Sequence, residues 1–348
     1  MSLAPPARRY PLAVRDSSLS SAFGLLVQTL PYALARFAVL MGASVACIIW
    51  IVVTIGGADF LGTHIAKAFG VVWFLGCVIL AGWFWAALLR YLMHLIECGH
   101  VAVLTELIVH GRISNGAESM FAYGRRIVTE RFGEVSALFA MNLTVRGVLN
   151  AFHRTLDWVE ELLPIPGLES LANLLNAILR AATRYMDKTI FSYNLACNAE
   201  SPWENSRDGI VYYCQNAKPI LKTSVWIVAL ELILTVVMWL ILLAPAAAIT
   251  VLLPHTVREA GAVVTVCIAV LFAFACRSAF VKPLFLIMIM TRFHALIEDQ
   301  PINAEWVGYL DQLNIGFRDL ANKAQSFAGG AVRRPPAPPS TANVAPPA

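Results

Sequence analysis

Apolar residues follow two rhythms along this chain. Near residues 37–55, 69–90, 225–253 and 262–281 they run almost without interruption. Runs of about 18 or more can cross a hydrocarbon core of ~30 Å as helices, so four transmembrane helices are expected. Between the two pairs of runs the rhythm changes to steps of three and four. Val135, Leu138, Asn142, Val145, Leu149, Phe152, Leu156, Val159 and Leu163 form one line, apolar except at Asn142. Arg146, Arg154, Asp157, Glu160 and Glu161 lie off it. A second line follows through Leu168, Leu171, Leu175, Ile178, Ala182 and Tyr185. Pro164-Ile165-Pro166-Gly167 separates the two, and two prolines without N–H donors stop a helix. The pattern predicts an antiparallel helical hairpin with coiled-coil-like seams.

The expected fold is therefore an all-α polytopic membrane protein with four transmembrane helices and a cytoplasmic antiparallel helical hairpin. Residues 1–36 read as a flexible amino end and a short surface helix, with Leu19, Phe23, Leu26 and Leu30 on one face ahead of a bend at Pro31. Residues 37–98 hold the first two spans, and Gly56-Gly57-Ala58-Asp59 is expected to end the first. Nothing breaks the second helix before His110. Residues 99–222 form the cytoplasmic module, with the hairpin at 133–196. Ser201-Pro202-Trp203-Glu204 reads as a capping box within it. Residues 223–291 hold the third and fourth spans, the fourth ending near Val281. Residues 292–328 show Trp306, Leu310, Leu313, Phe317 and Leu320 on one face of an amphipathic helix. Residues 329–348 are a Pro/Ala-rich tail expected to be disordered.

Charge distribution supplies the orientation. The short loops near residues 59–68 and 254–261 hold only Lys67 and Arg258 among the basic residues. The remaining Lys and Arg lie largely in the amino end, the middle region and the carboxyl end, which places all three in the cytoplasm. Composition agrees with the membrane class: 58% of residues are hydrophobic and 14% charged, with a mean hydropathy of +0.67. Soluble domains carry roughly 45–50% apolar and roughly 25% charged residues. The seven cysteines are scattered and form no C-x-x-C pair, so they read as buried apolar groups rather than disulfides or zinc ligands.

Ionisable groups inside spans are the first functional candidates. Glu231 lies about six residues into the third span, ~9 Å deep at 1.5 Å per residue, and Arg277 lies at a comparable depth in the fourth. Three readings stand: an ion pair that fixes helix register, a Glu231 that lines a cation pathway, or an Arg277 that snorkels outward. Trp73, Trp83 and Trp239 could form an aromatic site for a cation, together with Trp85 and Trp226; tryptophans near span ends also serve as interfacial anchors. Asn142, alone on its apolar line, is a candidate for setting register or oligomer state. His94 and Glu97 share a helix face, and Cys98 and His100 lie beside them, but so few ligands do not make a metal site. No nucleophile elbow, H-E-x-x-H, P-loop or dinucleotide fingerprint occurs, so no enzymatic activity and no metal or cofactor is expected. Basic residues of the middle region alternate with acids, and the adjacent bilayer accounts for them without nucleic acid.

Three segments resemble a known family. Arg184-Tyr185-Met186-Asp187-Lys188-Thr189-Ile190, Ser206-Arg207-Asp208-Gly209-Ile210 and Asn216-Ala217-Lys218-Pro219-Ile220-Leu221-Lys222 are similar to a late stretch of choline transporter-like proteins. The resemblance covers about residues 170–245 and implies movement of a solute or lipid precursor. The residues themselves favour another function. Apart from Thr54, Thr250 and Thr265 the outer halves of the spans carry almost no polar side chains. An integral membrane scaffold or accessory subunit, oligomerising or recruiting partners through its hairpin, is the first expectation. An oligomeric transporter or pore is the second. The bilayer and either further copies of the chain or a membrane complex are the implied partners.

Overall fold

The computed structural model describes residues 10–113, 118–132, 135–154, 171–197, 201–252, 254 and 258–332, without the side chains of 84–86, 131–140, 142, 171–178, 180–181, 258–260 and 326–332. Among the described residues all regular structure is helical. The helices are α1 (Leu19–Gln28), α2 (Leu30–His64), α3 (Lys67–His110), α4 (Met120–Phe132), α5 (Val135–His153), α6 (Leu171–Ala196), α7 (Pro202–Gln215), α8 (Ala217–Leu252), α9 (Arg258–Cys276), α10 (Lys282–Ile297), α11 (Ala304–Leu313) and α12 (Ile315–Val332). A π turn, Arg277–Val281, joins α9 to α10 without a break.

Four stretches are long and apolar enough to cross a membrane: α2, α3, α8 and Gly261–Ile297. Little of their most apolar windows is buried, from none in α3 to 28% in Gly261–Ile297. Apolar surface left uncovered on this scale suits a lipid solvent. The helices pack as α2 on α3 and α8 on α9, with α2 also touching α9 and the π turn. Gly56-Gly57-Ala58-Asp59 does not end the first of them, since α2 continues to His64. Gly57 instead admits a close crossing: a Cβ there would collide with the Trp73 indole, and one on Gly70 would meet the Ala58 carbonyl. The glycines serve packing, and the chain reverses at Ile65–Ala66 instead. The chain breaks at Thr29 between α1 and α2, just before Pro31, which stands in the first turn of α2, where its missing N–H costs nothing.

The remaining helices form a polar-surfaced module with a continuous apolar core. Val101, Val103, Leu104 and Ile108 of α3 are buried there with Val145, Leu149 and Phe152 of α5, Tyr185 and Ile190 of α6, Ile210 and Tyr213 of α7, and Phe285 and Phe293 of α10. All four apolar stretches reach into this core, α2 through Tyr32 and Ala33 and α8 through Ile220 and Ile227. Helix α3 has 44 residues, ~66 Å at 1.5 Å each, about twice a hydrocarbon core. Gly111, at φ 75°, ends it in the left-handed conformation that glycine adopts without strain. The fourth apolar run also continues beyond Val281, through α10 to Ile297.

Helices α5 and α6 are tied by Arg146 to Asp187 at 2.5 Å and by Thr183 to His153 at 3.0 Å. The connecting turn at Pro164–Gly167 and the Asn142 side chain lie outside the described residues. Ser201 caps α7, accepting from the Glu204 N–H at 3.3 Å. Residues 10–14 are tied down where the sequence suggested a flexible segment. Ala13 and Val14 donate to the Ile108 carbonyl, Ala13 also to that of Val109, and Tyr10 shares a 2.5 Å hydrogen bond with His294. The last carbonyls of α3 lack helical partners, and this strap supplies them. The C-terminal amphipathic stretch is two helices. Asn314 separates them and accepts from the Gly316 N–H, while Leu310, Phe317 and Leu320 are all fully buried. Helix α12 runs to Val332, past Gly329-Gly330; the tail from residue 333 lies outside the described residues.

Candidate functional site

Charged side chains gather where the apolar helices meet the module. The π turn sets the geometry. Pro283, in the first turn of α10, has no N–H and its ring crowds the carbonyl four residues back. A wider turn just before it relieves that crowding and re-aims the local side chains and carbonyls. Arg277, first residue of this turn, donates through Nη2 to Glu231 Oε1 at 2.8 Å. The freed Ser278 carbonyl lies 3.4 Å from Arg36 Nη1.

Glu231 and Arg277 are thus brought together, but not as an isolated pair. Arg184 of α6 stands 3.8 Å from the same carboxylate, and the Tyr185 hydroxyl donates to Oε2 at 3.4 Å. Glu231 is 5% exposed, so its charge must be balanced locally. Burial, then the Glu231 charge, pushes the Tyr185 phenol up, keeping it a neutral donor. A second carboxylate, Glu97 of α3, lies 2.7 Å from Lys188 and 3.6 Å from Arg36. Next to it Asp187 is buried against Arg146; burial raises its pKa even though Lys188 and Arg146 oppose the shift.

The two clusters surround a cavity of about 390 Å³. Arg36, Arg90, Glu97, Arg184, Lys188 and Lys282 supply its polar wall. Leu40, Leu89, Met93 and Phe274 supply the apolar one. Six cations, with Arg277, meet two carboxylates, an excess of positive charge at the ends of apolar helices. Sequence reasoning missed Arg36, Arg184 and Lys188. The i, i+4 spacing of Arg184 and Lys188 was the available signal, since it puts both on one face of α6.

Among the described residues Trp73, Trp83 and Trp239 make no ring contact with one another. Trp73 packs on α2, its indole N–H 3.4 Å from the Val53 carbonyl, and Trp83 is 75% exposed; Trp239 makes no aromatic contact among the described residues. His94 lies 3.6 Å from the Cys98 sulfur, while His100 stacks on Tyr32 and bonds Thr29. No cluster of three metal-ligating residues occurs among the described residues. Comparison with known families, curated proteins and solved structures found no match.

Proposed function

We propose that the chain is an integral membrane scaffold or accessory subunit, in which two pairs of spans anchor a cytoplasmic helical module. The hairpin formed by α5 and α6 is the surface through which it self-associates or recruits a partner. One observation carries this reading: among the described residues of the four apolar stretches, the ion pairs of Arg and Lys gather at the junction. Away from it, the hydroxyls of Ser44, Thr54, Thr250 and Thr265 bond carbonyls of their own helices. A solute pathway needs polar groups left available across the membrane thickness, and these are already satisfied. Packing of the amino strap, α5, α6 and the C-terminal helices into one module supports placing both termini on the module's side.

The junction cavity favours one second reading, an oligomeric transporter akin to the choline transporter-like proteins. Its wall is cationic, which suits an anionic solute better than choline. Reconstitution of the full chain separates the two. The scaffold reading expects a multimer or stoichiometric complex in nanodiscs, and proteoliposomes no more permeable to choline than empty vesicles. Choline uptake that disappears on replacing Glu231 would overturn it.

A further inference from the structure

The junction cavity has features that a structural ion-pair network does not need. Glu97 and Glu231 together can balance two cations, yet six converge. Among the described residues Arg90 and Lys282 have no carboxylate partner at pairing distance, Lys282 instead lying 5.8 Å from the centre of the Phe274 ring. Arg36 is 4% exposed, and its Nε is buried without a hydrogen-bond partner. Holding an unpaired guanidinium N–H out of water is unfavourable unless something accepts from it. Six elements build the wall: Arg36 from α2, Arg90 and Glu97 from α3, Arg184 and Lys188 from α6, Phe274 from α9, Ser278 from the π turn and Lys282 from α10. The volume falls within the roughly 300–1,000 Å³ of small-molecule sites.

The opposite wall says what the anion is attached to. Phe274 is 55% exposed and stands at the rim. From it Val270 and Val266 continue along α9 at intervals of four, 38% and 44% exposed, so the three form one uncovered apolar stripe on one helix face. A compact negative group in the cavity could therefore carry a hydrocarbon chain lying along α9.

We propose that this cavity binds the phosphate of an anionic glycerophospholipid, with Arg36, Arg90 and Lys282 as its principal donors and an acyl chain along Phe274, Val270 and Val266. Arginine offers paired N–H donors to phosphate oxygens, and basic pockets between membrane helices are suited to such headgroups. The bound phosphate offsets the excess charge of the cavity wall, tying the spans to the module. This rests on the four apolar helices being spans and not on the scaffold role, so either can fail alone.

The test uses purified full-length protein in a neutral detergent, titrated with phosphatidylglycerol, phosphatidylcholine or inorganic phosphate while thermal unfolding and retained lipid are measured. Phosphatidylglycerol should be retained and should raise the unfolding temperature; phosphatidylcholine should do neither. Arg90→Gln and Lys282→Gln should each weaken phosphatidylglycerol binding roughly 5-fold, whereas Lys282→Arg should retain it. Equal retention of the two lipids by the unaltered protein would overturn the proposal. Inorganic phosphate binding as tightly as phosphatidylglycerol would overturn the lipid assignment, because the acyl stripe would then contribute nothing. Should the Gln variants fail to fold, raising the salt concentration with the unaltered protein decides. Affinity for phosphatidylglycerol should fall with ionic strength, and a salt-independent affinity refutes the charge-based site.

Discussion

The two halves of α3 are similarly apolar and meet opposite fates. In the first, Val71, Val72, Ile79 and Trp83 are 58–75% exposed; in the second, Val101, Val103, Leu104 and Ile108 are at most 1% exposed. Hydropathy does not distinguish a side chain that meets lipid from one that meets protein. Sparse polar residues do. The second half is punctuated by His94, Glu97, His100, Thr105 and Glu106, and each finds a partner on another helix or within the turn. Between Lys67 and Arg90 no charged residue interrupts the first half. The junction is where one regime gives way to the other.

The comparison breaks most severely at the junction itself. Glu231→Leu leaves Arg277 and Arg184 facing each other unmatched, and should cost about 3–5 kcal/mol, read as reduced yield and a lower unfolding temperature in detergent. Because Arg184 stays behind, Glu231→Leu with Arg277→Leu should restore only part of that loss. Full restoration would mean that Arg184 contributes nothing at 3.8 Å.

Next come the two halves themselves. Leu104→Ala should destabilise by about 3 kcal/mol through lost burial and a residual cavity. Val72→Ala, on the exposed half, should change detergent stability by less than about 0.5 kcal/mol. Similar losses at both positions would erase the distinction.

Acid should attack only the module. His153 is buried between Tyr213 and Thr183, and burial lowers its pKa from 6.5 to about 4. The native state therefore resists protonation that the unfolded chain accepts. Stability from the neutral ring is complete above pH 6.5 and is lost as pH falls towards 4. At ~1.36 kcal/mol per unit the loss is on the order of 3 kcal/mol. Unfolding temperature followed against pH should drop more steeply in this window for the unaltered chain than for His153→Gln. Identical slopes would show that the ring is solvated.

The smallest effect is local. Ser201→Ala removes the cap of α7 and should cost about 1 kcal/mol, with faster amide exchange confined to the first turn of that helix. Uniform protection would show that packing alone holds α7.

How much was legible follows from range. The four apolar runs and the Ser201 cap are local patterns, readable within one or two turns. Glu231 and Arg277 stood out because charge is rare in an apolar run. Arg36 and Glu97 lie beside such runs and Lys188 lies in the amphipathic α6, where charge is ordinary, and only the packing of α6 against α3 and α8 brings them together. The amino strap was hidden for a related reason. Tyr10 sits among prolines and arginines, and its partner His294 is 284 positions away. Gly57 misled because glycine both breaks helices and admits close neighbours, and only the position of Trp73 tells which applies.

A single helix shared by an apolar and a buried half is also a lever. From Lys67 to His110 α3 is one continuous helix. A thinner bilayer is accommodated by helices that tilt. A tilt of ~10° carried along the ~30 Å of α3 beyond the hydrocarbon core displaces its far end by ~5 Å. The amino strap is bonded to that end, at Ile108 and Val109, so with α3 in a bilayer a change in thickness would move the strap with it.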